Sequence, residues 1–257
     1  MFKRNIFGQV IIGKEIVIRL LGLLSFPRFR WYYNSVIKGA EIFRNIPDKN
    51  VLIISNHQTY FSDVAYMYHV IYSALRGKPN IIRFPGLFYR IKSNIYIVAA
   101  AETMKDSLFA KFLAYAGIIP IKRTWREKGK DVTRKVNLKD FDKIGKALND
   151  GWVITFPQGT TKPFSPIRRG TAHIIKEYKP TIVPVVVDGM RRGFDKKGLK
   201  PKKKHVDLKM TVKEPLVIDY DEDVNLIIEQ IANAIEQSDE HNVIKRLKSE
   251  TKQGVNL

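Results

Sequence analysis

The apolar positions of this chain change period repeatedly, and each change marks an element. Val51 to Ser55 is a continuous apolar run of strand length, set off by the turn residues Pro47-Asp48-Lys49-Asn50. Asp63 to Leu75 reads as a helix that stops before Gly77 and Pro79, and Asn94 to Ala99 as a β-branched strand. Met104 to Tyr115 carries Leu108, Phe109, Phe112 and Leu113 at helical spacing, and Gly117 to Ile121 is a short strand. Leu138 to Leu148 is a helix ended by Asn149-Asp150-Gly151. Trp152 to Phe156 is a strand, Gly170 to Tyr178 a helix, and Ile182 to Val187 a strongly β-branched strand. Val206 to Asp219 predicts two more strands broken near Pro215, and Val224 to Ile235 an amphipathic helix. Such interleaving predicts an α/β fold, a mixed sheet flanked by helices.

Ahead of this region lies a greasy stretch over residues 6–27, containing Ile16, Val17, Ile18, Leu20, Leu21, Leu23, Leu24 and Phe26. Lys14, Glu15 and Arg19 interrupt it, so it falls short of the roughly 18 uninterrupted apolar residues of a membrane span. No small-x-small cleavage site follows. Arg28, Arg30, Trp31, Tyr32 and Tyr33 come next, and the combination predicts an amphipathic, interfacial helical segment over residues 1–34. A helix buried in packing is the alternative. One domain then spans 35–245, and a polar tail 246–257.

With 257 residues, 44% of them hydrophobic, the chain can bury one full core. The absence of cysteine excludes disulfides, thiolate zinc sites and a cysteine nucleophile. Lys and Arg number 45 against 25 Asp and Glu, and a net charge of +20 draws polyanions: nucleic acid, an anionic bilayer, or CoA-type substrates. The run Arg191 to His205 holds six lysines and reads either as a solvated loop or as a surface for anionic headgroups. No nucleic-acid module is recognisable and no aromatics interleave with the lysines from Lys196 to Lys204, so no nucleic-acid partner is expected. There is no His-Glu-x-x-His, P-loop or Gly-x-Gly-x-x-Gly, so neither metal nor cofactor is expected.

Chemistry concentrates in two segments. In Ser55-Asn56-His57-Gln58-Thr59-Tyr60-Phe61-Ser62-Asp63, an imidazole suited to proton transfer lies near a carboxylate that can fix its tautomer. No cysteine and no Gly-x-Ser-x-Gly elbow accompanies it, so such a base would act on a substrate hydroxyl or amine without a covalent intermediate. The second segment, Trp152 to Lys162, ends a strand at Pro157. Gly159, Thr160, Thr161, Lys162 and Arg168 then supply donors and cations for an oxyanion or phosphate. Between the two, Gly117-Ile118-Ile119-Pro120-Ile121-Lys122-Arg123 delivers two cations at a strand end. His69, His173, His205 and His241 lack partner spacing and read as structural or exposed.

The ordered set Asn56-His57…Asp63, Gly117…Arg123, Phe156-Pro157-x-Gly159-Thr160 and Val183-Pro184-Val185 resembles the glycerolipid acyltransferases, which include the 1-acylglycerol-3-phosphate acyltransferases. The resemblance covers roughly residues 35 to 190. It implies an α/β acyltransferase domain and a membrane-associated enzyme on the cytoplasmic face, peripheral or monotopic. Such an enzyme moves an acyl chain from acyl-CoA or acyl-ACP to a lysolipid hydroxyl, in phospholipid synthesis. By that resemblance His57 is the general base, Asp63 its orienting carboxylate and Arg123 the phosphate-contacting arginine. Gly159 and Thr160 shape the acceptor site, and Pro184 belongs to the donor side.

Three departures qualify it. Five residues separate His57 from Asp63 where the family has four, which puts Ser62 in the family's aspartate position. A histidine held in the turn before the helix absorbs the extra residue, and Asp63 is the assigned partner. Gln158 stands where the family usually has Glu, and Thr161 where it usually has Arg. Lys162 or Arg168 then replaces the missing cation, or the acceptor is a lyso-aminolipid. The reading from another class is a non-catalytic basic protein that binds anionic membranes or nucleic acid.

Overall fold

The run Val51-Leu52-Ile53-Ile54 has no polar face, which suits a strand covered on both sides. The structure is a computed structural model that describes residues 2–82, 91–104, 115–122, 126–127, 130–131 and 138–243, and it places this run at the centre of a seven-stranded sheet. The strands are β1 (Asn34–Lys38), β2 (Val51–Ser55), β3 (Ile95–Ala100), β4 (Ile118–Ile121), β5 (Trp152–Thr155), β6 (Thr181–Asp188) and β7 (Asp207–Val212). Their order is β1-β7-β6-β2-β5-β3-β4. Every pairing is parallel except β6 with β7, so the sheet is mixed.

Strand alternation sorts the core into two layers. Val51 and Ile53 face α2 (Ser62–Leu75), where Tyr66, Met67, Val70 and Ile71 are buried, together with Val17, Ile18 and Phe26 of α1 (Ile11–Pro27). Leu52 and Ile54 face the opposite layer. It is built by Ile144 and Leu148 of α3 (Leu138–Asp150), Ile175 of α4 (Arg169–Tyr178), and Ile227 and Ile231 of α5 (Val224–Ala234).

α1 therefore joins the core along one side. Its other side leaves Ile12, Ile16, Leu20, Leu23 and Leu24 exposed, and it runs on into a π-helical turn over Arg28–Tyr32. No helix among the described residues is long and apolar enough to cross a membrane.

Two elements differ from the sequence reading. β1 was not expected, because Asn34-Ser35-Val36-Ile37-Lys38 shows little apolar signal; it is an edge strand whose pairing comes entirely from β7. The second strand expected near Pro215 shrinks to a single bridge between Leu216 and Ile182. Lys213 N donates to Pro184 O and Leu216 N to Ile182 O, but Pro184 and Pro215 have no N–H with which to complete a ladder. The helix expected over Met104 to Tyr115 falls largely on residues outside the described ones.

Candidate active site

β6, β2 and β5 are neighbours running the same way, so the segments that follow Asp188, Ser55 and Thr155 emerge at one edge of the sheet. Buried Asn56 staples two of them together. Its Nδ2 donates to Val187 O at 2.9 Å, and its Oδ1 accepts from Val187 N at 2.8 Å.

The next residues wrap around a carboxylate. Asp63 is fully buried in the first turn of α2, where the helix dipole favours negative charge. Its Oδ2 accepts from Gln58 N at 2.6 Å and Thr59 N at 3.1 Å, and its Oδ1 from Thr59 Oγ1 at 2.8 Å. The fourth partner is His57 Nδ1, 2.9 Å from Oδ2. A carboxylate surrounded by donors makes Nδ1 the protonated nitrogen of His57 and leaves the lone pair on Nε2. The extra residue between His57 and Asp63 is thus taken up in the loop. Ser62 points elsewhere, its Oγ donating to Gly198 O at 2.5 Å.

One further group packs on the imidazole and another holds its backbone. The Phe156 ring stacks on it, with centroids 3.9 Å apart and planes 21° from parallel. Arg191 Nη2 donates to His57 O at 3.4 Å, and Arg191 N to Gln58 Oε1 at 3.3 Å. Burial pulls the Arg191 guanidinium below its usual value, and the Asp63 charge opposes that shift. The basic segment after Arg191 also closes on this loop: Tyr60 N donates to Lys196 O at 3.2 Å and Phe61 N to Lys197 O at 3.0 Å.

His57 lies on the wall of a cavity of about 750 Å³. One part of the wall is apolar, with Ile18, Leu21 and Leu24 of α1, Phe29, Ile97 and Phe141. Another carries Lys122, Gly159, Thr160, Thr161, Arg168 and Arg169. Gly159 adopts φ +64°, and its N–H donates to Phe156 O at 2.9 Å, closing the turn that the sequence anticipated.

Of the residues expected from sequence, the structure gathers His57, Gly159, Thr160 and Arg168 around the cavity, with Asp63 behind the imidazole. Lys162 is set apart. It is exposed, its backbone N–H donates to Thr160 Oγ1 at 3.2 Å, and it is not on the cavity wall. Arg123 lies outside the described residues. Sequence reasoning missed the roles of Thr59, Phe156 and Arg191. Phe156 and Thr59 stood inside the motifs, but nothing in spacing connects Arg191 to His57. Gln158 is buried and turned from the cavity toward Ser165 and Gln237. Among the described residues no group of three or more acidic or histidine side chains is placed to hold a metal ion.

No curated protein matches the chain. Among solved structures it is similar to the 1-acyl-sn-glycerophosphate (LPA) acyltransferase PlsC from Thermotoga maritima. That similarity covers 95% of this chain and 80% of that one with a TM-score of 0.50; at 15% identity it is a likeness of fold. Residues 37–188 match the family described as Acyltransferase. That stretch is more than half of the chain and takes in His57, Asp63, Gly159, Thr160 and Arg168, and the chain belongs to the Acyltransferase family.

Proposed function

We propose that the protein transfers an acyl chain from acyl-CoA or acyl-ACP to the free hydroxyl of a lysolipid, with 1-acylglycerol-3-phosphate as the acceptor. The observation that carries the reading is His57, held by Asp63 through Nδ1, on the wall of a cavity that is apolar on one side and cationic on the other. The hydroxyl proton passes to His57 Nε2 as the oxygen attacks the thioester carbonyl. A C–O bond forms, the C–S bond breaks, and the imidazolium returns the proton to the departing thiolate. Asp63 stabilises that imidazolium, and no enzyme-bound acyl group is required. Lys122, Arg168 and Arg169 are described cations on that wall suited to an acceptor phosphate, and Arg123 is assigned to it by family resemblance. The PlsC structure similar in fold is that of an enzyme acting on the same acceptor.

The exposed apolar side of α1, with Trp31 beyond it, suits peripheral or monotopic attachment to the cytoplasmic face of an anionic membrane. A second acceptor, a lyso-aminolipid, is favoured by one observation: Thr161 lies on the wall where the family has a cation, and Gln158 faces away from it.

The test is acyl transfer from a thioester to each lysolipid by purified wild type and His57→Ala. A loss of about a hundredfold or more is expected in the variant. Full activity in His57→Ala would refute the assignment, and the acceptor that turns over in wild type decides between the two headgroups.

A further inference from the structure

Gln158 occupies the first turn position after the Phe156-Pro157 corner, yet its side chain reaches a residue 79 positions away. Its Nε2 donates to Ser165 O at 2.9 Å and to Gln237 Oε1 at 3.1 Å. Gln237 Oε1 also accepts the Phe164 N–H at 2.9 Å, so one amide oxygen holds both flanks of the turn that carries Gly159, Thr160 and Thr161.

Both ends of this clamp are rigid. Gln237 closes the Schellman-type cap that ends α5: Glu236 has φ +57°, its N–H donates to Asn233 O at 3.1 Å, and Gln237 N donates to Ala232 O at 2.8 Å. Glu236 is further tied to Lys213 by an ion pair of 2.9 Å. At the other end Phe164 takes φ +52°, a left-handed conformation that a non-glycine residue adopts at a cost and keeps only where its surroundings hold it. Arg168 is anchored to the same corner, its N–H donating to Pro157 O at 2.9 Å and its Nε to Gln158 O at 3.3 Å.

We propose that Gln237, acting through Gln158, is a positioning residue for the acceptor side of the active site, fixing the turn that presents Thr160 and Arg168 to the cavity. The proposal rests on the acyltransferase reading above, and adds to the site a residue outside the matched stretch 37–188. The chemistry is specific to an amide at 158. A carboxylate there would face two acceptors, Ser165 O and Gln237 Oε1, with no proton to give either. Rotating the Gln237 amide to offer its NH₂ instead would abandon the Phe164 N–H.

The experiment combines kinetics with amide hydrogen exchange on the full chain, comparing wild type with Gln237→Ala, Gln237→Glu and Gln158→Glu. Gln237→Ala is expected to raise the acceptor KM about fivefold or more, leave kcat and the donor KM within about twofold, and speed exchange at Phe164 about tenfold. Gln158→Glu is expected to behave the same way. Gln237→Glu keeps an oxygen facing Phe164 N and Gln158 Nε2 but loses the bond that Gln237 Nε2 donates to Glu236 O at 2.8 Å, so it is expected to restore acceptor KM and slow exchange in part, to values between those of wild type and Gln237→Ala. Unchanged acceptor KM in Gln237→Ala, equal damage in Gln237→Glu, or losses shared between donor and acceptor would each overturn the proposal. If wild type acylated no lysolipid while Phe164 exchange responded as stated, the functional reading would fail and the clamp itself would stand.

Discussion

The imidazole of His57 lies face to face with the ring of Phe156, 3.9 Å between centroids. A hydrogen bond from Nδ1 to Asp63 fixes one edge of the ring but leaves it free to rock about that bond; the stacked phenyl removes that freedom and holds the ring in place at the cavity wall. Phe156→Ala is expected to lower kcat on the order of tenfold with little change in donor KM, because the base is still present but less well aligned. Phe156→Tyr retains the flat surface and is expected to stay within about twofold of wild type. Steady-state kinetics at saturating acceptor checks both.

Asp63→Asn preserves size and burial but replaces an all-acceptor group with one that must place an NH₂ among the donors of Gln58, Thr59 and His57. The imidazole can then accept at Nδ1 only by moving its proton to Nε2, where the base is needed. A fall in kcat of about 10³ to 10⁴ is expected, with a circular-dichroism spectrum like that of wild type. Thr59→Val removes only one of the donors that hold the carboxylate and is expected to cost about tenfold or less. Similar, small losses in both variants would show that tautomer control is not what Asp63 contributes.

The sequence made the central strands plain because buried parallel strands need uninterrupted apolar runs, as in Val51 to Ile54 and Trp152 to Ile154. It also placed His57 and Gly159 at strand ends, and adjacency of β2 with β5 brought those ends together. β1 escaped because an edge strand with a partly exposed face carries little apolar pattern. Asp63 is preferred to Ser62 on chemistry, because a hydroxyl is a poor group for orienting an imidazolium, but the loop hydrogen bonds that take up the extra residue leave no mark in the sequence. The partnership of Gln158 with Gln237 could not be read either: an amide facing an amide across 79 residues leaves no local signature.

Gly198, next to Lys196 and Lys197, also meets the catalytic loop. It has φ +78°, and a Cβ at this position would lie 2.6 Å from Ser62 N and 2.8 Å from Thr59 Oγ1. Thr59 is one of the groups that hold Asp63, so a side chain here pushes directly on the catalytic arrangement. Gly198→Ala is expected to destabilise the fold by about 1–3 kcal/mol and to cut kcat at least tenfold. Denaturant titration and kinetics measure the two effects. A variant with wild-type kcat would mean that the basic segment shifts without disturbing Thr59 or Asp63.

Lys14 and His69 are buried bases, and both make stability rise with pH. Burial lowers Lys14 from 10.5 to about 7, with Asp150 opposing, while its Nζ donates to Ile95 O at 2.8 Å. Burial lowers His69 from 6.5 to about 3, its Nε2 lying 2.9 Å from Ser25 Oγ. Between the two values of each group the unfolded chain binds a proton that the folded chain does not, so unfolding becomes harder as pH increases. The windows are pH 3 to 6.5 for His69 and pH 7 to 10.5 for Lys14, with slopes of up to about 1.4 kcal/mol per pH unit. Lys14→Met is expected to flatten the upper window and His69→Phe the lower, as read from urea midpoints across pH. A wild-type slope retained in both would assign the pH dependence to other groups.

The outer side of α1 sets up the last prediction. Ile12, Ile16 and Leu20 recur every four residues and are about half exposed, and none of them lines the cavity. Three such side chains moved from water into the headgroup boundary gain about 1 kcal/mol each, or roughly a hundredfold in partition together. The net charge of +20 adds attraction that favours anionic over neutral lipid. Replacing all three by serine is therefore expected to reduce co-sedimentation with phosphatidylglycerol vesicles by one to two orders of magnitude, about 1.4 to 2.7 kcal/mol. Wild-type binding is expected to weaken as salt rises, whereas the apolar contribution lost in the variant is insensitive to it. Equal sedimentation of variant and wild type at every salt concentration would mean that the membrane, if engaged at all, is met by charge alone and that α1 serves only the core.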